Sequence, residues 1–238
     1  MLGSIFSFDS HSTTWGKSEV SDPIIEGKTC SVQEPMSSGS YIYHWPSKYD
    51  LVFWPLTDQN GIWYCLESGF IAFMGDFEDL SEQEIKRIAQ YLGENKNRVL
   101  SETSKLELLE NIYALRDKEQ IFKNRLLRVL AYLYEEADEI VLANEYREKA
   151  LSDIEQVLKR DIGEYNKLEY LYLAANYHRQ LARTKESDIY ISRLEEAIDN
   201  LKDQELKGFA EYLTELLKAT KDISAGGILR PALPEKDV

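Results

Sequence analysis

Beyond residue 80 the apolar positions recur at helical spacing almost without a break. Ser81-Glu82-Gln83-Glu84 is a capping box, in which the Ser side chain accepts from an early backbone N–H and the Glu reaches back. Ile85, Ile88, Ala89 and Leu92 follow at helical spacing, and Gly93 is placed to end that helix. Ser104-Lys105-Leu106-Glu107 reads as a second box leading into Leu109, Ile112 and Tyr113. Five further helices are expected over about 122–136, 139–159, 164–182, 185–201 and 203–221. The helices near 122–136 and 164–182 are apolar on several faces, so they must be covered on several faces. Those that follow each carry one stripe: Ala143, Ala150, Ile154 and Val157 in one, and Ile191, Leu194, Ile198 and Leu201 in the other. Inner helices alternating with outer ones are what a stack of helical hairpins requires. The two hairpins align at an offset of 44, which places Ala131 on Ala175 and Leu127 on Leu171. A final stripe of Leu206, Phe209, Ala210, Leu213 and Leu217 suits a terminal cap.

The front of the chain has a different pattern. Tyr41-Ile42-Tyr43, Leu51–Trp54, Ile62–Cys65 and Phe70–Phe73 are β-prone, and the last two flank Leu66–Gly69 as a hairpin. Residues 1 to about 38 show little periodicity and read as extended or loosely ordered. All four Trp lie before residue 64, four of six Pro before residue 56, and seven of twelve Gly in the first 79 residues. Leu56 to Arg230 contains no proline, which permits an unbroken helical array. The expected fold is α+β, mainly α: an acidic β-rich part over 1–79 packed on an antiparallel helical array over 80–222, with a tail over 223–238.

Charge narrows the partners. The 238 residues carry 28 Lys+Arg against 42 Asp+Glu, a formal net charge of −14, which repels nucleic acid and anionic lipid. Up to Asp79 three Lys face eleven Asp/Glu, so the front is the more acidic part. No apolar run approaches the ~20 residues that cross a bilayer, and the start, Met1 to Phe6, has neither the basic nor the long apolar region of a signal peptide. Two cysteines in a chain this long make no disulfide framework, so a bacterial cytoplasm is expected.

Two stretches carry resemblances. Leu173-Ala174-Ala175-Asn176-Tyr177 through Arg183–Ser187, and Leu126 to Leu151, resemble tetratricopeptide repeats, with Ala at the helix crossing and a spacing near 44 in place of 34. Tyr64-Cys65-Leu66-Glu67-Ser68-Gly69-Phe70 resembles a zinc-ribbon knuckle whose second Cys has become Ser68, and Cys30-Ser31-Val32-Gln33 resembles the other with one ligand missing. In this order of parts the chain is similar to an uncharacterised bacterial family that joins a two-knuckle front to tetratricopeptide-like helices and has no agreed activity.

Candidate chemistry is sparse. Cys30 and Cys65 with His44 and His11 could supply a four-ligand zinc site, but their spacings follow no known finger, so the cysteines are read as buried, inert thiols and no cofactor is expected. Asp76-Phe77-Glu78-Asp79 precedes the first firm helix, where acidic residues favour the dipole. A small hydrolase using Asp76 or Glu78 is the weakest of three readings. His178 is read as a packing-edge histidine. The leading reading is a non-enzymatic scaffold or adaptor that binds another protein, its acidic segment or C-terminus, in the concave face of the array. The tetratricopeptide likeness, carried across by Ala131 and Ala175, implies a row of Arg125, Arg128, Tyr132 and Glu135 on one helix and Glu169, Tyr172, Asn176 and Arg179 on the next, each at i, i+3, i+7, i+10. Of these, Arg125, Arg128, Tyr132, Tyr172, Asn176 and Arg179 are the expected partner-binding residues. The alternative is an immunity or inhibitor protein whose acidic front covers a basic toxin.

Overall fold

The computed structural model describes residues 14–36, 59–95 and 101–226. The described residues form an α+β, mainly α protein of two small β-hairpins and seven α-helices. One compact unit takes in 14–36, 59–95 and 101–117, and a second takes in 118–226. The expected strands at 41–43 and 51–54 lie outside the described residues, as do Trp45, Trp54 and His44. None of the described helices is long and apolar enough to cross a membrane.

The first unit opens with a hairpin where loose chain is expected. β1 (Trp15–Ser21) pairs antiparallel with β2 (Thr29–Pro35), from Trp15 opposite Pro35 to Ser21 opposite Thr29. Its outward residues are polar, and Cys30 and Val32 alternate into the interior on β2, so few apolar positions betray the strands. The connection turns through Gly27, whose φ of +74° suits glycine. β3 (Ile62–Tyr64) and β4 (Ile71–Phe73) form the second hairpin as expected, closed by Cys65 N–H to Phe70 O at 2.8 Å and by Gly69 at φ +78°. Trp63 ties the two hairpins, its Nε1–H donating to Gln33 O at 2.8 Å while its ring meets Phe77 edge-on.

Two helices belong to this unit. α1 (Glu82–Glu94) begins with the expected capping box on Ser81 but runs through Gly93, ending at Asn95. α2 (Glu102–Ala114) starts three residues earlier than expected: Ser101, not Ser104, is its N-cap and accepts from Ser104 N–H. Phe73 packs on Tyr113, and the buried Arg116 donates to the carbonyls of Asp76 and Asp79. These contacts make α1 and α2 part of the hairpin unit, whose limit is Asp117 and not residue 79.

The second unit is built on repetition. α3 (Gln120–Glu136) and α4 (Ile140–Val157) form one hairpin, and α5 (Glu164–Gln180) and α6 (Thr184–Asp199) form the next; α7 (Lys207–Thr220) packs on α5 and α6. α3 and α5 are buried on several faces, while α4 and α6 bury one stripe each. The offset of 44 holds in detail. Both inner helices end in a Schellman turn: Asp138 N–H to Glu135 O and Glu139 N–H to Tyr134 O in the first, Ala182 N–H to Arg179 O and Arg183 N–H to His178 O in the second. Tyr134 stacks on Tyr146 at 5.1 Å, and at the same positions His178 stacks on Tyr190 at 5.2 Å. Lys149 lies over the Tyr146 ring as Arg193 lies over that of Tyr190. At the second crossing Ser187 Oγ donates to Ala175 O at 2.8 Å; the first has Ala143 and Ala131, both buried, at those positions.

Candidate functional site

The row expected to line an open groove is largely interior. Arg128 is 3% exposed and pairs with Glu169 at 3.5 Å; Tyr132, Tyr172 and Asn176 are buried as well. Asn176 donates to the Tyr172 hydroxyl at 3.3 Å and accepts from Gln180 Nε2 at 2.6 Å. Glu135 is buried against Arg147, which also donates to Asn144 at 2.7 Å. Arg179 is half-buried and holds the carbonyls of Lys221 and Ile223, the chain just past α7. The i, i+3, i+7, i+10 spacing thus brings these residues to one face of each inner helix, but that face makes internal ion pairs and hydrogen bonds. Arg125, at the N-terminal end of α3, is the member beside Arg179 that retains partial exposure.

That same end presents apolar surface. Ile121 on α3 is 53% exposed and Tyr165 on α5 is 41% exposed, and the two positions are equivalent under the offset of 44. Tyr165 stacks on Phe209 of α7 at 4.6 Å. Burial and the Glu169 carboxylate raise the pKa of its phenol, and the charges of Arg128 and Arg125 oppose them. An aliphatic side chain on one inner helix and a half-exposed aromatic ring on the next therefore lie at corresponding ends, and the guanidinium charges of Arg128 and Arg125 act on the ring's phenol.

The cysteines are not thiols. Cys30 on β2 and Cys65 after β3 form a disulfide with their Cα atoms 5.0 Å apart, which corrects the expectation of two inert thiols. The first hairpin's inward alternation carries Cys30 in, and the turn after β3 carries Cys65 in. Asp22, in the β1–β2 connection, joins them. Its Oδ1 accepts from Ile24 N–H at 2.8 Å and Ile25 N–H at 3.1 Å, which orients the carboxylate. Its Oδ2 is buried without a hydrogen-bond partner, and a carboxylate oxygen of Asp22 and both sulfurs lie within 4.8 Å of one another. Nothing in the sequence singled out Asp22, because it lies far along the chain from Cys65. His11, the other histidine considered with the cysteines, lies outside the described residues.

The acidic loop has a structural task. Asp76 accepts from the Tyr113 hydroxyl at 3.0 Å, that hydroxyl accepts from Phe73 N–H at 3.1 Å, and the loop carbonyls take Arg116. His178, buried on α5, is paired through Nε2 with Glu155 at 3.0 Å, and Tyr190 donates to the same carboxylate at 3.2 Å. Comparison of the chain with family models, curated proteins and solved structures finds no match.

Proposed function

We propose that this chain is a non-enzymatic protein-interaction scaffold, with a partner docking at the N-terminal ends of the two inner helices. What carries the reading is the exposure of Ile121 and Tyr165 at equivalent positions of a repeated hairpin, beside Arg125. Repeats that stack offer equivalent side chains at a regular spacing, which is how helical arrays read extended partners. The site shifts from the middle of the expected row to its end, because Arg128, Tyr132, Tyr172 and Asn176 are buried. Guanidinium charge beside a flat aromatic ring favours a partner segment bearing carboxylates. The likeness to tetratricopeptide arrays belongs to this proposal. So does a cytoplasmic location, supported by the acidic composition and opposed by the Cys30–Cys65 disulfide.

The test is capture from host lysate by the whole chain and by an Ile121→Glu, Tyr165→Glu double variant. Both positions are exposed, so circular dichroism should match between the two. The proposal expects the variant to lose the proteins retained by the parent and an Arg125→Glu variant to weaken their retention. Retention of the same proteins by all three chains would refute the site.

A further inference from the structure

We infer that Asp22, Cys30 and Cys65 form a redox-gated zinc site, closed while the disulfide stands and opened when it is reduced. Three observations converge. The two sulfurs and a carboxylate oxygen come from three separate turns and strands yet lie within 4.8 Å of one another, all in buried residues. Asp22 is 6% exposed, and two backbone N–H groups fix its Oδ1. Its Oδ2 is buried without a partner. A buried carboxylate oxygen with no donor is costly, and a disulfide offers it none.

Reduction changes the chemistry of the cluster. A phosphine supplies the two electrons: its phosphorus takes the oxygen of one water as phosphine oxide, and the water's two protons complete the Cys30 and Cys65 thiols. A divalent ion then displaces both thiol protons, and two thiolates and one carboxylate surround it. Two soft sulfurs with one hard oxygen select zinc over magnesium or calcium. Zinc–sulfur bonds of about 2.3 Å at tetrahedral angles put the sulfurs about 3.8 Å apart, a spacing open to two thiolates but not to a bonded pair. The carboxylate is already held for its part by Ile24 and Ile25. Three protein ligands leave a fourth position for water. The ion supplies the positive charge that Asp22 Oδ2 lacks in the oxidised fold.

The experiment uses the full chain, stripped of metal, titrated with Zn²⁺ against a chromophoric chelator before and after reduction by a phosphine, which does not itself supply a thiol ligand. One zinc per reduced chain is expected, with none bound by the oxidised chain. Asp22→Asn should weaken the affinity at least tenfold, and Cys30→Ser should abolish it. Co²⁺ added to the reduced parent should give thiolate-to-metal charge-transfer absorption, a readout that needs no variant. Equal binding before and after reduction, undiminished binding by Cys30→Ser or Asp22→Asn, or a reduced chain that takes up no metal would each overturn the inference.

Discussion

Ala182 occupies in the second hairpin the left-handed backbone position that Asp138 occupies in the first, with φ of 64° against 60°. Both residues close Schellman turns with the same hydrogen bonds, yet neither is the glycine that such a turn favours. An alanine there pays for its Cβ, whereas Asp is the better tolerated of the two. Ala182→Gly should therefore stabilise the protein by about 0.5–1 kcal/mol, the residual after glycine's extra freedom in the unfolded chain is subtracted. Asp138→Gly should gain less. Urea unfolding of the three chains measures this, and a lower midpoint for Ala182→Gly would show that the turn does not carry the strain.

The Glu135–Arg147 pair joins α3 to α4 in the interior, and both side chains are nearly inaccessible. Removing one member of a buried pair leaves an uncompensated charge, which typically costs about 3–5 kcal/mol. Arg147→Met should show that loss in urea unfolding. Replacing both members, Glu135→Leu with Arg147→Met, should recover most of it. Additive single and double variants would mean the two charges do not depend on each other.

The helices were legible because the outer ones bury a stripe that returns every 3.6 residues and the inner ones are apolar on several faces, and the offset of 44 shows in the pairs Ala131 with Ala175 and Leu127 with Leu171. The turns between them were not, since Ala182 carries no sign of a left-handed backbone. At α2, Ser101 and Ser104 both stand before an apolar run, and only the bond from Ser104 N–H to Ser101 Oγ decides between them. β1 and β2 were missed because Lys17, Ser18 and Glu19 supply no apolar alternation, and the inward side is carried by little more than Cys30 and Val32. For the site, spacing showed that Arg128 and Tyr132 share a helix face but not that the face is covered. Asp22 was invisible for the opposite reason. Its meaning depends on two sulfurs brought to it by separate hairpins.

Tyr113 links α2 to the second β-hairpin by a single hydroxyl, which accepts from Phe73 N–H and donates to Asp76. Burial, and then the Asp76 charge, push its pKa well above the usual tyrosine value, so it stays protonated and able to donate. Tyr113→Phe keeps the ring packed on Phe73 but leaves a buried N–H without its acceptor. A loss of about 1–3 kcal/mol is expected in urea unfolding, and a change below a few tenths would show that another group takes over.

Glu84 gives the protein an acid-sensitive joint. Burial alone would raise its pKa, but it is held down to about 2, from 4.5, by the N–H groups of Ser81 and Asp117, the Ser81 hydroxyl and the Arg116 charge. Ser81 N–H and Asp117 N–H reach it at 2.8 and 2.9 Å, so one carboxylate closes the start of α1 and ties it to the segment after α2. A carboxylate whose pKa is lower folded than unfolded contributes stability that is fully present above the unfolded value. That contribution is lost as pH falls from about 5 toward 2, because the unfolded chain then binds the proton first. Glu84→Gln keeps an acceptor oxygen but not the charge. The variant should be less stable than the parent at neutral pH, and the gap should narrow steadily as the solution is acidified. Urea midpoints measured across that range report the gap directly. Two curves that fall in parallel would mean that the Glu84 charge does not hold the α1 joint.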